Sequence, residues 1–284
     1  MEGRLKKDPD VAASYNNTLE TCVTKGYVKK VQPSEIPKSK WYLPHFPIVK
    51  PDRQTTKTRI VFDAAARYKD VALNDFINPS PKLQNDLVNV LLRFRRYPVA
   101  LVCDIAKMYL RIKLPEGDRA YHRFLWRELQ TKPPDVYEFQ RVVFGVNSSP
   151  FQAQFVARKN AEINIDFFPE AADTVLNSTY MDDSMDSVHD TEKGIALFKE
   201  LHELWGKTDM HARIWMSNSP KIMECIPAEL GAAEMKVPTG NLPDKKVLGL
   251  MWVASEDVFT FVYSVPAYEE SNQTHSTERN CFNI

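Results

Sequence analysis

The 284-residue sequence has no long hydrophobic run, and none of its apolar segments approaches the length needed to span a membrane. Residues 1–7 carry charges with no apolar stretch after them, which is not the pattern of a secretory signal peptide. Cysteine is scarce, and the four thiols are too widely spaced to form a metal-ligand pair: Cys22, Cys103, Cys225 and Cys281. We therefore expect reduced thiols in an intracellular protein with no membrane partner.

An excess of charge of either sign is also missing, because 37 basic residues balance 37 acidic ones. A neutral total counts against a simple nucleic-acid binder, which usually carries a basic excess. A basic groove beside an acidic metal site would give the same total, so the balance does not exclude nucleic acid. Repeats and low-complexity segments are absent as well. A hydrophobic content of 43% and a charged content of 26% are ordinary for a globular protein with one large domain or two.

Two adjacent carboxylates stand at the centre of the chain, in the tetrapeptide Tyr180-Met181-Asp182-Asp183. The run 174–179 before it and the run 184–188 after it favour extended structure, which predicts a β-hairpin with the carboxylates at its tip. Neighbouring carboxylates repel each other unless a cation lies beside them, and oxygen ligands suit Mg²⁺. The alternative interpretation is a solvated turn, in which aspartate is common.

A third carboxylate, Asp104, follows the apolar run 99–103, which is short enough for a buried strand or a piece of buried helix. A carboxylate at the end of a core strand, facing a hairpin tip with two more, is the layout of a two-metal phosphoryl-transfer site. Asp183 is the weaker ligand of the three, because adjacent residues of a strand point in opposite directions.

The ordered motifs resemble those of reverse transcriptases. The series consists of Asp104, Tyr109, Phe144-Gly145, Ser149-Pro150, Tyr180-Met181-Asp182-Asp183 and Leu248-Gly249. The flanking segments are similar to the polymerase domain of Bel/Pao-type LTR retrotransposons, at positions 41–45, 49–53, 59–65 and 91–95. The resemblance extends from about Leu5 to about Val262, which is nearly the whole chain.

The resemblance implies an α+β fold of the right-hand polymerase type. We expect an N-terminal helix and fingers over residues 1–98. A palm would follow over 99–262, built as a ferredoxin-like antiparallel sheet with helices on one side, with a fingers excursion near 115–143 and a primer-grip hairpin at 247–262. The tail 263–284 would be the truncated start of a thumb or connection. The protease, ribonuclease H and integrase of such polyproteins would lie outside this chain.

The resemblance also implies an activity, that of an RNA-directed DNA polymerase, a nucleotidyltransferase. Its partners would be an RNA or DNA template-primer and a deoxynucleoside triphosphate. Asp104, Asp182 and Asp183 would be the catalytic metal ligands for Mg²⁺, with Mn²⁺ as an alternative. Tyr109 would be the steric gate that excludes a 2′-hydroxyl, although outside the motif a core tyrosine is the simpler interpretation.

Basic residues of a predicted hairpin would bind the triphosphate. The segments 46–49 and 57–62 favour strands, and the resemblance places the triphosphate-binding arginine at Arg59, whose guanidinium can pair two phosphate oxygens. Lys57 is the preferred second cation, with Lys50 or Arg53 as alternatives. At least two of these four charges are expected to be solvated only.

The remaining implied contacts surround the nucleotide and the primer. Phe144 and Gly145 would lie by the nascent base pair, although many retroviral enzymes have glutamine where this chain has Phe144. Primer contacts fall on Tyr180, Met181, Leu248 and Gly249. The segment 217–221 resembles one in which related polymerases carry a general-acid lysine, here Lys221, and a solvated lysine is the alternative.

Local signals predict four helices, one further strand and a second hairpin. The helices follow Asp8-Pro9 up to Gly26, Ser80-Pro81 up to Pro98, Ser148-Ser149-Pro150, and Asp190 up to Gly206. Val142–Gly145 favours a strand, 115–140 a loop-rich excursion, and 247–253 with 258–262 a second hairpin. Arg93, Arg95 and Arg96 could complement a helix C-terminus or contact template phosphate.

Two other functions stay open at this point. The chain could be a catalytically inactive, truncated retroelement relic that binds nucleic acid. An unrelated metal-dependent phosphohydrolase is the third possibility, and it has less support because the sequence offers no His/Asp ligand cluster beyond the three carboxylates.

Overall fold

The computed structural model describes residues 1–49, 58–231, 244–247 and 250–260. The α-helices within this part are α1 (Glu2–Leu5), α2 (Pro9–Thr24), α3 (Leu87–Phe94), α4 (Glu116–Arg119), α5 (Ser149–Ile163), α6 (Pro169–Asn177), α7 (Thr191–Gly206) and α8 (Pro220–Cys225). Short 3₁₀ segments occupy Pro33–Lys38, Leu73–Asp75 and Met108–Arg111. None of the helices among these residues has both the length and the apolar composition of a membrane crossing.

The strands among the described residues form four antiparallel sheets. They are β1 (Val28–Lys30), β2 (His45–Val49), β3 (Thr58–Phe62), β4 (Val99–Ala106), β5 (Arg123–Trp126), β6 (Asp135–Phe139), β7 (Thr179–Tyr180), β8 (Asp183–Val188), β9 (His211–Ser217), β10 (Asp244–Val247), β11 (Leu250–Val253) and β12 (Val258–Thr260). The sheet orders are β7-β8-β4-β9, β1-β6-β5, β2-β3 and β10-β11-β12. The predicted hairpins at β2-β3 and β11-β12 are therefore present.

The strand β4 is the centre of the largest sheet and is buried on both faces. Leu101, Cys103 and Ile105 pack into a core shared with α5, α6 and α7. Ala100 and Val102 face the other way, into a smaller core with α3 and β11. Burial on both sides explains why the run before Asp104 is continuously apolar. It also corrects the expectation of helices on one side, because α3 covers the second face.

The N-terminal elements form an aromatic core around one histidine. His45 on β2 packs against Phe62, Phe124 and Trp126, and the Tyr15 hydroxyl of α2 hydrogen-bonds its Nδ1. The His45 Nε2 donates to the Leu125 carbonyl at 2.9 Å, so Nδ1 is the acceptor for Tyr15. These contacts join α2 to the β2-β3 and β1-β6-β5 sheets.

Two predicted helices follow their capping signals closely. The Asp8 carboxylate accepts from the Val11 amide at 3.1 Å, and α2 ends before Gly26, whose φ is +67°. The Asp190 carboxylate accepts from the Lys193 amide at 2.8 Å at the start of α7. Both helices begin where an aspartate satisfies an otherwise unpaired amide, as the sequence predicted.

Three local predictions were wrong. The run 174–179 is helical up to Asn177, with only Thr179–Tyr180 extended. The helix expected from Ser80-Pro81 begins at Leu87, after its Asp86 cap. Val142–Gly145 contains no strand and ends in a turn. The loop-rich excursion 115–140 also contains β5 and β6, which the sequence did not predict.

Candidate active site

The three predicted carboxylate residues meet at one end of the central sheet. Asp104 pairs directly with Asp183 in the antiparallel register of β4 and β8. Asp182 lies in the turn between β7 and β8, and its carbonyl accepts from the Ile105 amide at 2.7 Å. The backbone therefore places all three residues on neighbouring chain segments, as the hairpin prediction required.

Side-chain amides hold the turn that carries Asp182. Met181 has a φ of +56°, and non-glycine residues rarely adopt this left-handed conformation. Gln154 of α5 donates to the Met181 carbonyl at 3.1 Å, and Gln84 contacts its sulfur at 2.9 Å. Asn85 donates to the Thr179 carbonyl at 2.8 Å. Sequence reasoning missed these three amides, since their only signal is a tertiary contact with the hairpin.

An arginine that the sequence did not single out contacts the first carboxylate. Arg213 pairs with Asp104 in the register of β4 and β9, and its Nε lies 3.3 Å from the Asp104 Oδ2. Asp104 therefore has a carboxylate residue opposite it on one neighbouring strand and a guanidinium on the other.

The donor chemistry of this edge suits a hard cation, since Asp104, Asp182 and Asp183 offer only oxygen. Their backbone positions on adjacent segments suit a shared ion as well. However, within the described ranges no three His, Cys, Asp or Glu side chains form a group that could hold a metal ion. The residues therefore fit Mg²⁺ or Mn²⁺ in type and location, while their side chains are not gathered into a ligand set.

Tyr109 lies where the motif spacing predicted, in the 3₁₀ turn directly after β4. Its ring is buried and lies 4.2 Å from the Phe144 ring, centroid to centroid. Burial raises the pKa of the Tyr109 hydroxyl to about 12, and the negative charge of Asp182 acts in the same direction. The structure thus brings Tyr109, Phe144 and the hairpin carboxylate into one neighbourhood.

Gly145 approaches the backbone of β3. Its φ is +97°, and its carbonyl accepts from the Asn74 side chain at 2.9 Å. A Cβ at this position would lie 2.0 Å from the Phe62 carbonyl oxygen. The need for glycine is therefore already explained by the contact with β3, independently of any contact with a base pair.

The predicted triphosphate and primer residues are only partly described. Arg59 lies on β3, opposite Ile48, at an exposed position. Lys57 and its alternatives Lys50 and Arg53 fall outside the described residues, as do Leu248 and Gly249. Tyr180 pairs with Asp183 and packs against the smaller core.

Lys221 is not brought to the carboxylates. It follows β9 on α8, beyond Ser217, and Ser217 pairs with Leu101. Leu101 precedes Asp104 by three residues, a separation of about 10 Å along a strand. The end of β9 that lies beside Asp104 carries Arg213 instead.

The predicted helix-terminal arginines contact protein groups. Arg93 donates to Ser178 and pairs with Asp173, and Arg95 pairs with Asp257 at 2.5 Å. These pairs fit the structural interpretation better than a template contact. Arg93 also lines a cavity of about 440 Å³ at the Val188 end of β8, opposite to Asp183. This cavity lies away from the carboxylates.

Comparisons with known proteins support the architecture. No family model and no curated protein matches the chain. A foamy viral protease-reverse transcriptase, solved in complex with double-stranded DNA, matches with a TM-score of 0.59 at 14% identity, over 87% of this chain and 35% of the viral chain. The prototype foamy virus protease-reverse transcriptase matches with a TM-score of 0.55 at 16% identity, over 72% of this chain and 24% of the viral chain.

At these identities the similarity concerns the fold. The chain has a mixed α/β, reverse-transcriptase-like fold with antiparallel sheets. It spans well under half the length of the viral proteins that it matches.

Proposed function

We propose that the chain is the polymerase domain of a reverse transcriptase from a Bel/Pao-type retrotransposon. It would add deoxynucleotides to a primer 3′-end on an RNA template. The observation that carries this proposal is the pairing of Asp104 with Asp183, beside the Asp182 turn, within a reverse-transcriptase-like fold. The motif order in the sequence supports the same assignment.

In this proposal Asp104, Asp182 and Asp183 would hold Mg²⁺, or Mn²⁺ as an alternative, through carboxylate oxygens. A bound divalent ion neutralises phosphate charge and lowers the pKa of an attacking hydroxyl. The amides of Gln84 and Gln154 keep the Met181 turn in place beneath the carboxylates.

The nucleotide would be selected and held by side chains around this edge. The Tyr109 ring, backed by Phe144, excludes a 2′-hydroxyl. Arg59 pairs with the triphosphate, with Lys57 as the second cation. Gly145 keeps the Phe144 turn close to β3. Lys221 is left out of this mechanism because of its position.

The partners would be an RNA or DNA template-primer and a deoxynucleoside triphosphate. Tyr180, Met181, Leu248 and Gly249 would contact the primer. The foamy viral protein with this fold was solved with double-stranded DNA, which supports a nucleic-acid partner here. We place the chain in cytoplasmic retroelement particles, together with a protease, ribonuclease H and integrase encoded outside it.

Two observations favour a second candidate, a nucleic-acid-binding relic without activity. The Arg213 Nε contacts the Asp104 carboxylate, and the side chains of the described residues form no metal-ligand group. A protein of this kind would retain the fold and bind duplexes through phosphates without incorporating nucleotides.

Primer extension on poly(rA)–oligo(dT) with Mg²⁺ and dTTP distinguishes the two candidates. We expect extension by the parent protein and its loss in Asp182→Asn, while Asp166→Asn, an exposed aspartate away from the edge, stays active. Duplex binding, followed by fluorescence anisotropy at two salt concentrations, should persist in both variants. Salt-sensitive binding without extension by the parent protein would favour the relic.

A further inference from the structure

The strand β9 contains a bulge beside Asp104. Val102 pairs with Met216 and Asp104 pairs with Arg213, so two residues of β9 face the single residue Cys103. One of the two, Ile214, has a φ of +54°. A β-branched residue is strongly disfavoured in this left-handed region, so the surrounding structure must stabilise the bulge.

The bulge determines which side chain lies opposite Asp104. Counting from the pair Val102–Met216, a regular ladder would place Ile214 opposite Asp104. A one-residue shift also moves a side chain to the other face of a sheet. Because of the extra residue, Arg213 takes this position, and its Nε reaches the Asp104 carboxylate at 3.3 Å. Bulges next to functional sites commonly redirect a side chain in this way.

The resulting ion pair uses a proposed metal ligand. The Arg213 side chain is 39% exposed and that of Asp104 is 24% exposed, so both can be reached from solvent. A guanidinium stays charged at any physiological pH, and it therefore offsets the Asp104 charge whenever no other cation does. A guanidinium that contacts one carboxylate oxygen lowers the negative charge available to a divalent ion at the same carboxylate.

We propose that Arg213 competes with the divalent cation for the charge of Asp104: the guanidinium contacts the carboxylate that the ion would bind and weakens its attraction for the ion. This inference rests on the metal site of the proposed function. The bulge at Ile214 is the structural device that maintains the competitor in position. Arg213 is thus a positioning residue that sets the metal concentration at which the site fills.

Metal binding, measured without nucleotide or primer, tests the competition. The probe is Mn²⁺ alone, followed by the loss of its free-ion signal in electron paramagnetic resonance. Arg213→Gln removes the charge but keeps a polar side chain, and Mn²⁺ should bind on the order of tenfold more tightly than in the parent protein. Arg213→Lys keeps the charge, and its Mn²⁺ affinity should stay within about threefold of the parent value.

Arg111 offers a matched control for the removal of charge alone. It pairs with Asp209 at 3.3 Å rather than with Asp104. Arg111 and Arg213 both act on Lys107, whose pKa is lowered first by burial and then by neighbouring cations, so the two guanidiniums share one neighbourhood. Arg111→Gln should change the Mn²⁺ affinity by less than about twofold, since no competitor leaves the carboxylate.

Asp104→Asn separates failure of this inference from failure of the metal site. One outcome is that Asp104→Asn loses Mn²⁺ binding while the parent protein, Arg213→Gln and Arg213→Met bind Mn²⁺ with equal affinity. This result would overturn the competition and leave the proposed function intact. Absence of Asp104-dependent binding in all of them overturns the metal site and the competition with it. The second neutral variant, Arg213→Met, gives the same comparison if the glutamine variant does not fold.

Discussion

Gly145 and Phe62 are in backbone contact: a Cβ on Gly145 would lie 2.0 Å from the Phe62 carbonyl oxygen. The glycine also has a φ of +97°, in a conformation that other residues adopt only with strain. The turn that carries Phe144 therefore depends on the absence of a side chain at Gly145.

Replacement of Gly145 by alanine should be strongly destabilising, because the backbone of β3 or of the turn has to move. We expect the free energy of unfolding to fall by roughly 3 kcal/mol or more. Urea unfolding monitored by circular dichroism provides the measurement.

Gly206, the last residue of α7, is the control, because a Cβ there meets no atom within 4 Å. Gly206→Ala should leave the stability within about 1 kcal/mol of the parent value or raise it. If both substitutions changed the free energy of unfolding equally, the close contact between Gly145 and Phe62 would not be the cause of the destabilisation.

The sequence predicted those parts of the fold that have a local cause. Helices α2 and α7 follow from aspartate caps and apolar periodicity, and β4 follows from a run that is apolar throughout because both its faces are buried. The hairpin at Asp182 and Asp183 has a comparably local origin, in a turn between short strands.

The remaining elements depend on pairing between distant segments. Residues 174–177 are helical because α6 packs against α5 and α7, although their own preference is extended. The position of Arg213 depends on a bulge that only the β4-β9 pairing reveals. Lys221 was predicted from a resemblance of short motifs. Such a resemblance gives no information about how far Lys221 lies from Asp104 along the sheet.

Arg123 and Glu138 form a buried ion pair between β5 and β6. The guanidinium donates to Glu138 from Nε at 2.8 Å and reaches it from Nη2 at 2.7 Å, and its Nη1 donates to the Glu35 carbonyl and to Ser39. Arg123→Met leaves a carboxylate buried without this partner. We expect the free energy of unfolding to fall by about 3–5 kcal/mol at pH 7.

The pH dependence identifies the cause. Burial alone would raise the pKa of Glu138, but hydrogen bonds from Arg123 and Gln140 outweigh it and hold the pKa below the ordinary value of 4.5. This stabilisation is present above pH 4.5 and is lost as the pH falls through the folded-state pKa. The deficit of Arg123→Met should therefore shrink on acidification, whereas a deficit due to lost packing would not depend on pH.

His45 should make the N-terminal region sensitive to mild acid. Burial lowers its pKa below the ordinary value of 6.5, so the unfolded chain takes up a proton before the folded one does. Stability then falls as the pH drops below about 6.5, by up to about 1.4 kcal/mol per pH unit for one such histidine. Unfolding measured between pH 8 and pH 5 should show this slope.

His122 provides the comparison, because burial lowers its pKa as well. The pH dependence of the unfolding free energy of the parent protein should reflect both histidines. His45→Gln should remove about half of this dependence. Glutamine retains a donor for the Leu125 carbonyl. An unchanged slope in the variant would mean that His45 does not titrate in this range.

Tyr109 should determine sugar selection if the chain is a polymerase. Its ring packs against Phe144 directly after the strand that carries Asp104. In the proposed polymerase this ring would block the space of a 2′-hydroxyl. A pocket that excludes an added hydroxyl by shape achieves roughly 10² in discrimination. Tyr109→Val should therefore lower the preference for dUTP over UTP, which differ only at the 2′ position, by about tenfold or more, measured as a ratio of kcat/KM in primer extension.

Tyr109→Phe separates the ring from its hydroxyl. If the ring is the barrier, the phenylalanine variant should keep the parent preference within about twofold, because the excluded volume is nearly unchanged. If instead the hydroxyl acts through Asp182, whose charge contributes to the raised pKa of Tyr109, phenylalanine and valine should both lose discrimination. A preference that survives in Tyr109→Val would move the selection of sugar away from this residue. Phe144→Leu would then be the next variant to compare, since Phe144 is the aromatic neighbour that fixes the Tyr109 ring.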